Sequence, residues 1–251
     1  MPNGCISIDR VLSRLDEYLN KNDYAAAERH LLYWLDEAER GCDARTALTF
    51  LNELMGLYRK LGRRADALSC AEKALAKIES LGISHQVGAA TTFLNCATVY
   101  KAFDMSERSL PLFERAREVY ERELESDDSR LAGLYNNMAL TLVDLGRFSE
   151  ADALYRKAIS IMERAERGGL EVAITYLNMA TAAEAERGLI EAEAIISEYL
   201  ERAEALLDAH PTRDGYYAFV CEKCASVFGY YGHFFYENEL KERARRIYEG
   251  N

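Results

Sequence analysis

Cys221 and Cys224 are separated by two residues, the spacing at which two thiols can share a metal ion or form a redox pair. A structural zinc site needs four ligands, however, and no second Cys-x-x-Cys or paired His follows, with His233 the only neighbour of suitable type. A redox dithiol sits at a helix N-terminus after a strand, whereas this pair falls inside a helical pattern. The other histidines, His30, His85 and His210, are dispersed. The chain has no His-Glu-x-x-His, no Gly-rich phosphate loop after a strand and no Gly-x-Ser-x-Gly elbow. Its 42 acidic residues offer many carboxylate pairs, but on amphipathic helices most of these belong to solvated faces. The reading is therefore of a protein with no catalytic residue, no metal and no cofactor.

The residues that recur at a fixed spacing are amides. Asn95, Asn137 and Asn178 follow one another at steps of about 42 residues, with Asn52 and Asn136 in adjoining columns of the same pattern. An amide side chain has two donors and an acceptor and is a middling helix former, so its return at mid-helix positions asks for a role. Two roles are open: gripping the backbone of an extended peptide, or a structural one, bonding to a neighbouring helix or simply facing water.

The elements that carry these amides follow from composition and period. Ala, Leu, Glu, Arg and Tyr dominate and Pro occurs three times in 251 residues, which gives high helix propensity nearly throughout and an all-α class. The segments Leu51–Gly62, Phe93–Asp104, Tyr135–Gly146 and Tyr176–Arg187 superimpose at steps of 42, 42 and 41. Each is followed by a second apolar-periodic segment with small residues at fixed offsets: Ala67 and Ala74, Ser109 and Ala116, Ala151 and Ala158, Ala192. Small side chains there let paired helices approach closely. With a divergent first pair (near 6–20 and 24–40) and a last pair (near 214–231 and 234–249), the count is six pairs. Their approximate spans are 6–41, 44–82, 86–125, 128–166, 170–209 and 213–249 within one domain covering 1–251. Gly62, Gly146, Gly188 and Gly232 mark the turns within pairs, and Asp23, Asp128 and Ser149 stand where N-caps are expected. Pro111 falls early in a helix and removes one backbone bond from it.

The stretch Leu134-Tyr-Asn-Asn-Met-Ala-Leu-Thr-Leu-Val-Asp-Leu-Gly-Arg-Phe-Ser-Glu-Ala-Asp-Ala-Leu-Tyr-Arg-Lys-Ala-Ile159 resembles a tetratricopeptide repeat, and the spacing near 42 fits the longer, kinesin-light-chain-like type. The resemblance spans roughly residues 8–249 and implies a right-handed superhelical solenoid whose first helices line a concave groove. It places Asn52, Arg59, Asn95, Lys101, Asn136, Asn137 and Asn178 on that inner face, as a site for a peptide or protein partner. Arg59, Lys60 and Lys101 would form a positive wall suited to acidic side chains or a C-terminal carboxylate, or serve as ordinary solvated cations. Asp144 and Glu184, at neighbouring inner positions of the fourth and fifth repeats, would give the groove opposite polarity at its far end.

Between Asp214 and Tyr236, ten of 23 residues carry Tyr, Phe or His rings. A helix apolar nearly all round must be buried against something. The end of a core, a peptide pocket and a self-association surface all fit, with Tyr217, Lys223 and Tyr230 as the surface candidates and a homo-oligomer as the structural alternative.

The formal charge of −11 and a pI near 5 oppose nucleic acid and anionic membrane surfaces as partners. No signal-peptide pattern opens the chain and no apolar run is long enough to span a bilayer, so a cytoplasmic location is expected. The six cysteines, Cys5, Cys42, Cys70, Cys96, Cys221 and Cys224, are too sparse for a disulfide framework and are expected to be free and mostly buried.

Overall fold

A computed structural model describes residues 6–250, which leaves Cys5 outside the described part. Among these residues there are twelve α-helices and no strand. They run in six antiparallel pairs: α1 (Ile8–Asn20) with α2 (Tyr24–Arg40), α3 (Ala44–Lys60) with α4 (Arg64–Leu81), α5 (Val87–Ala102) with α6 (Ser106–Glu123), α7 (Ser129–Asp144) with α8 (Phe148–Met162), α9 (Gly169–Arg187) with α10 (Leu189–Ala209), and α11 (Gly215–Tyr230) with α12 (Phe234–Glu249). The first three pairs form one compact unit ending at Glu123, and the last three form a second that starts at Leu124.

The pairs close through the small residues that the sequence repeats. Ala27, Ala67, Ala74, Ala116, Ala151, Ala158, Ala192 and Ala244 are all buried. Ser109 stands in one of these columns and is fully buried too; its hydroxyl donates to the Ala97 carbonyl at 2.8 Å, so the polar atom costs little there. Each pair needs one left-handed residue at its turn. Gly62, Gly146, Gly188 and Gly232 supply it with φ of +67°, +70°, +83° and +87°, while Asn22 and Asp104 fill the equivalent place in the first and third pairs. Asp23 and Asp128 cap their helices as expected, accepting from Ala26 N and Arg130 N. Ser149 does not: α8 already begins at Phe148, so Ser149 lies inside its first turn. Asp43 and Asp214 are caps that the periodicity did not reveal. Helix α6 continues unbroken through Pro111.

Within each unit the first helices of successive pairs pack on one another: α3 on α5 in the first unit, and α7 on α9 and α9 on α11 in the second. They make one layer, and the second helices make the other. Ion pairs tie the outer layer together: Lys77 to Glu39 at 3.2 Å and Arg115 to Glu79 at 2.7 Å in the first unit, and Arg243 to Asp208 at 2.6 Å in the second.

Candidate partner-binding face

The amides sit on the seams of the first-helix layer. In the first unit Asn95, on α5, donates through Nδ2 to Oδ1 of Asn52 on α3 at 2.9 Å. Asn52 donates in turn to the Thr92 hydroxyl at 3.0 Å and to the Leu48 carbonyl at 2.9 Å. In the second unit Asn178, on α9, donates to Oδ1 of Asn136 on α7 at 3.1 Å. Of the two roles open to these amides, bonding to a neighbouring helix is the one that Asn52, Asn95, Asn136 and Asn178 fill. Asn137 bonds only locally, to the Gly133 carbonyl of its own helix at 2.8 Å.

Beside the first seam, in the last turn of α3, stands Arg59. Among the described residues no hydrogen bond or ion pair engages its guanidinium. It is exposed to water, yet enough protein surrounds it to lower its pKa from the usual arginine value through desolvation. Lys101 holds the equivalent place in α5 and is half-buried, while Lys60 lies over the Tyr24 ring at 5.0 Å. Glu53, on the same helix as Arg59, has its carboxyl pushed up by burial, with Asp16 adding to the shift.

In the second unit the face is aromatic where α9 meets α11. The helical period brings Tyr216, Phe219, Lys223 and Tyr230 to one stripe of α11, all of them exposed. Tyr216 donates to Glu171, whose carboxyl is raised by burial against an opposing pull from Lys223. Tyr230 and Tyr231 both donate to Glu184 at 2.7 Å, so the acidic residue expected at the inner position of the fifth repeat is held by two phenols. Asp144, expected beside it in the fourth repeat, is exposed. Tyr217 does not belong to the surface. It is fully buried, with its hydroxyl donating to the Leu207 carbonyl at 3.3 Å and accepting from Arg243 at 3.0 Å. Tyr216 and Phe219 take its place, and the sequence missed them because α11 is apolar nearly all round and leaves the stripe's direction undetermined.

Cys221 and Cys224 are buried in the body of α11, and burial pushes their thiols up to about 11 and about 12. Thiols so shifted stay protonated at neutral pH. Cys70 and Cys96 are likewise buried and free, whereas Cys42 is exposed. Cavities flank the second unit's first-helix layer, two of which bear on the site. One, of about 590 Å³ between α9 and α11, includes Thr181, Leu189, Val227 and Tyr230 in its lining. The other, of about 290 Å³, has Tyr155 in its wall; that side chain is buried with its hydroxyl unpartnered.

Six pairs of helices in two layers define a helical-repeat scaffold of the kind that serves protein–protein interaction. Residues 45–122 match one model of the tetratricopeptide repeat and residues 131–166 match another, so these stretches of the chain carry tetratricopeptide repeats. A stretch of 108 residues is 26% identical to Protein KINESIN LIGHT CHAIN-RELATED 2 of Arabidopsis thaliana. It takes in 43% of this chain but 16% of that protein, so the chain spans only a small part of this relative's length. Among solved structures, BtubC (BKLC) from P. vanneervenii is similar, with a TM-score of 0.68 and 22% identity over 82% of this chain and 83% of that one. A Rap protein complexed with Competence and Sporulation Factor is similar at a TM-score of 0.54 and 16% identity, over 94% of this chain and 73% of that one. No helix among the described residues is long and apolar enough to cross a membrane.

Proposed function

We propose that the first-helix face of the first unit holds an extended segment of a protein or peptide partner bearing an acidic side chain or a C-terminal carboxylate, and that the chain works in the cytoplasm by binding rather than by catalysis. The observation that carries this reading is Arg59, an exposed guanidinium with no partner among the described residues and partly desolvated by the protein around it, on a protein of net charge −11. A guanidinium presents a planar fork that matches a carboxylate, and the partly desolvated setting strengthens the attraction. The paired amides hold adjacent first helices in register, so the surface around Arg59 is preorganised. In the second unit Asn137, bonded among the described residues only within its own helix, and the exposed rings of Tyr216 and Phe219 offer contacts of their own. The solved Rap complex, of similar fold, shows such an array holding another molecule.

A library of displayed peptides with free C-terminal carboxylates tests the proposal, with the wild-type chain compared against Arg59→Gln. Selection by wild type of acidic or carboxylate-terminated peptides that bind the variant about 10-fold more weakly or worse is the expected result. Selection of peptides without acidic groups, or equal retention by both chains, would overturn it.

A further inference from the structure

Counting two residues back from the buried Ala67, Ser109 and Ala151 at the start of each second helix gives Ala65, Glu107 and Ser149, small or polar residues at an outward position. The same step from Ala192, buried at the start of α10, gives Ile190, and from Glu237, which stands seven residues before the buried Ala244 as Ala67 stands before Ala74, gives Phe235. The outward position thus turns from small or polar to large and apolar in the last two pairs. Ile190 is 82% exposed, Phe234 62% and the adjoining Phe235 96%. Leu189 and Tyr230, both more than half exposed, line one cavity together and so join the two turns into a single edge.

At about 200 Å² per large apolar side chain, the exposed parts of these five residues amount to roughly 700 Å². That exceeds the few hundred Å² an isolated soluble chain ordinarily leaves open and approaches the roughly 800 Å² that each partner buries in a stable interface. At the rim Arg187 pairs with Glu186 at 3.0 Å and Lys241 with Glu237 at 2.6 Å. The acidic Glu191 and Glu193 beside them oppose an anionic lipid surface. An apolar patch of this size is complementary to itself, which is the requirement of an isologous interface.

We propose that this edge of the second unit is a self-association surface, where Ile190, Phe234 and Phe235 of one copy pack about a two-fold axis against the same residues of a second copy. The surface adjoins the first-helix face at Tyr230 only, and its central residues Ile190, Phe234 and Phe235 belong to the second helices, so it stands or falls independently of Arg59. Sedimentation of the full chain from about 1 to 100 µM, a span that brackets micromolar self-association, tests the idea. Wild type should move from 28.4 kDa towards twice that mass as concentration rises. The double variant Ile190→Ser with Phe235→Ser should self-associate at least about 10-fold more weakly while keeping its helical circular dichroism. If the double variant loses helicity, the same comparison is made with Phe235→Ser alone, whose side chain is almost wholly in water. Arg59→Gln should dimerise like wild type, which separates this test from that of peptide binding. A wild-type chain that stays at monomer mass throughout, including one that instead gains mass only with vesicles or another protein, overturns the proposal, as does a folded variant that dimerises like wild type.

Discussion

At the scale of single residues, the Asn52 amide is engaged on both sides, accepting from Asn95 and donating to Thr92 and Leu48. Removing one partner of such a pair strands the other in a half-buried seam, whereas removing both relieves that cost. A double-mutant cycle of Asn52→Ala and Asn95→Ala, read by urea unfolding, should therefore give a coupling energy of about 0.5–1.5 kcal/mol. A coupling near zero would mean that the two amides act independently, as surface groups facing water would. The recurrence of Asn was legible in the sequence because the helical period repeats it at steps near 42. Its pairing was not, because the two members of a tie sit in adjoining columns of successive repeats, and only packing shows which column faces which.

For the helices as elements, the boundaries follow from local chemistry that the sequence shows unevenly. Asp43 accepts from Thr46 N at 3.1 Å and from the Thr46 hydroxyl at 2.6 Å, which holds its carboxyl below the ordinary aspartate value. Asp43→Ala should cost about 1 kcal/mol of unfolding free energy, and Ser149→Ala only a few tenths, because Ser149 caps nothing. A folded-state pKa below the unfolded one adds stability at neutral pH and loses it as pH falls through the lowered value. The difference between the two substitutions should accordingly narrow in acid. Urea midpoints of both variants at neutral and acidic pH check this. The number, order and pairing of the helices could be read from the period and the small residues at close approaches, since both arise from packing common to every repeat. Helix α11 resisted the same treatment. With apolar residues on nearly every side, its sequence fixed neither that Tyr217 lies in the core nor that Tyr216 and Phe219 lie in water, and the neighbouring α9, α10 and α12 decide the matter.

For the whole molecule, charge sets the two proposed associations against each other. Two copies each carrying −11 repel at long range, so added salt should strengthen pairing through the apolar edge by screening that repulsion. Capture of an acidic peptide by Arg59 is an attraction, and the same salt should weaken it. Following both equilibria from about 20 to 500 mM NaCl, across which the screening length falls several-fold, should show opposite slopes. A shared slope would mean that one of the two has been assigned to the wrong forces. The amide ties also bear on descent. Thr92-Phe-Leu-Asn-Cys-Ala-Thr98 and Thr175-Tyr-Leu-Asn-Met-Ala-Thr181 agree at five of seven positions, and their partners Asn52 and Asn136 lie 84 residues apart. The ties thus recur every second repeat, the pattern left when an ancestral block of two repeats is copied whole. The portable module of this chain is then a double repeat that carries both halves of its own fastening, and excision or transplantation should cut between such blocks rather than through one.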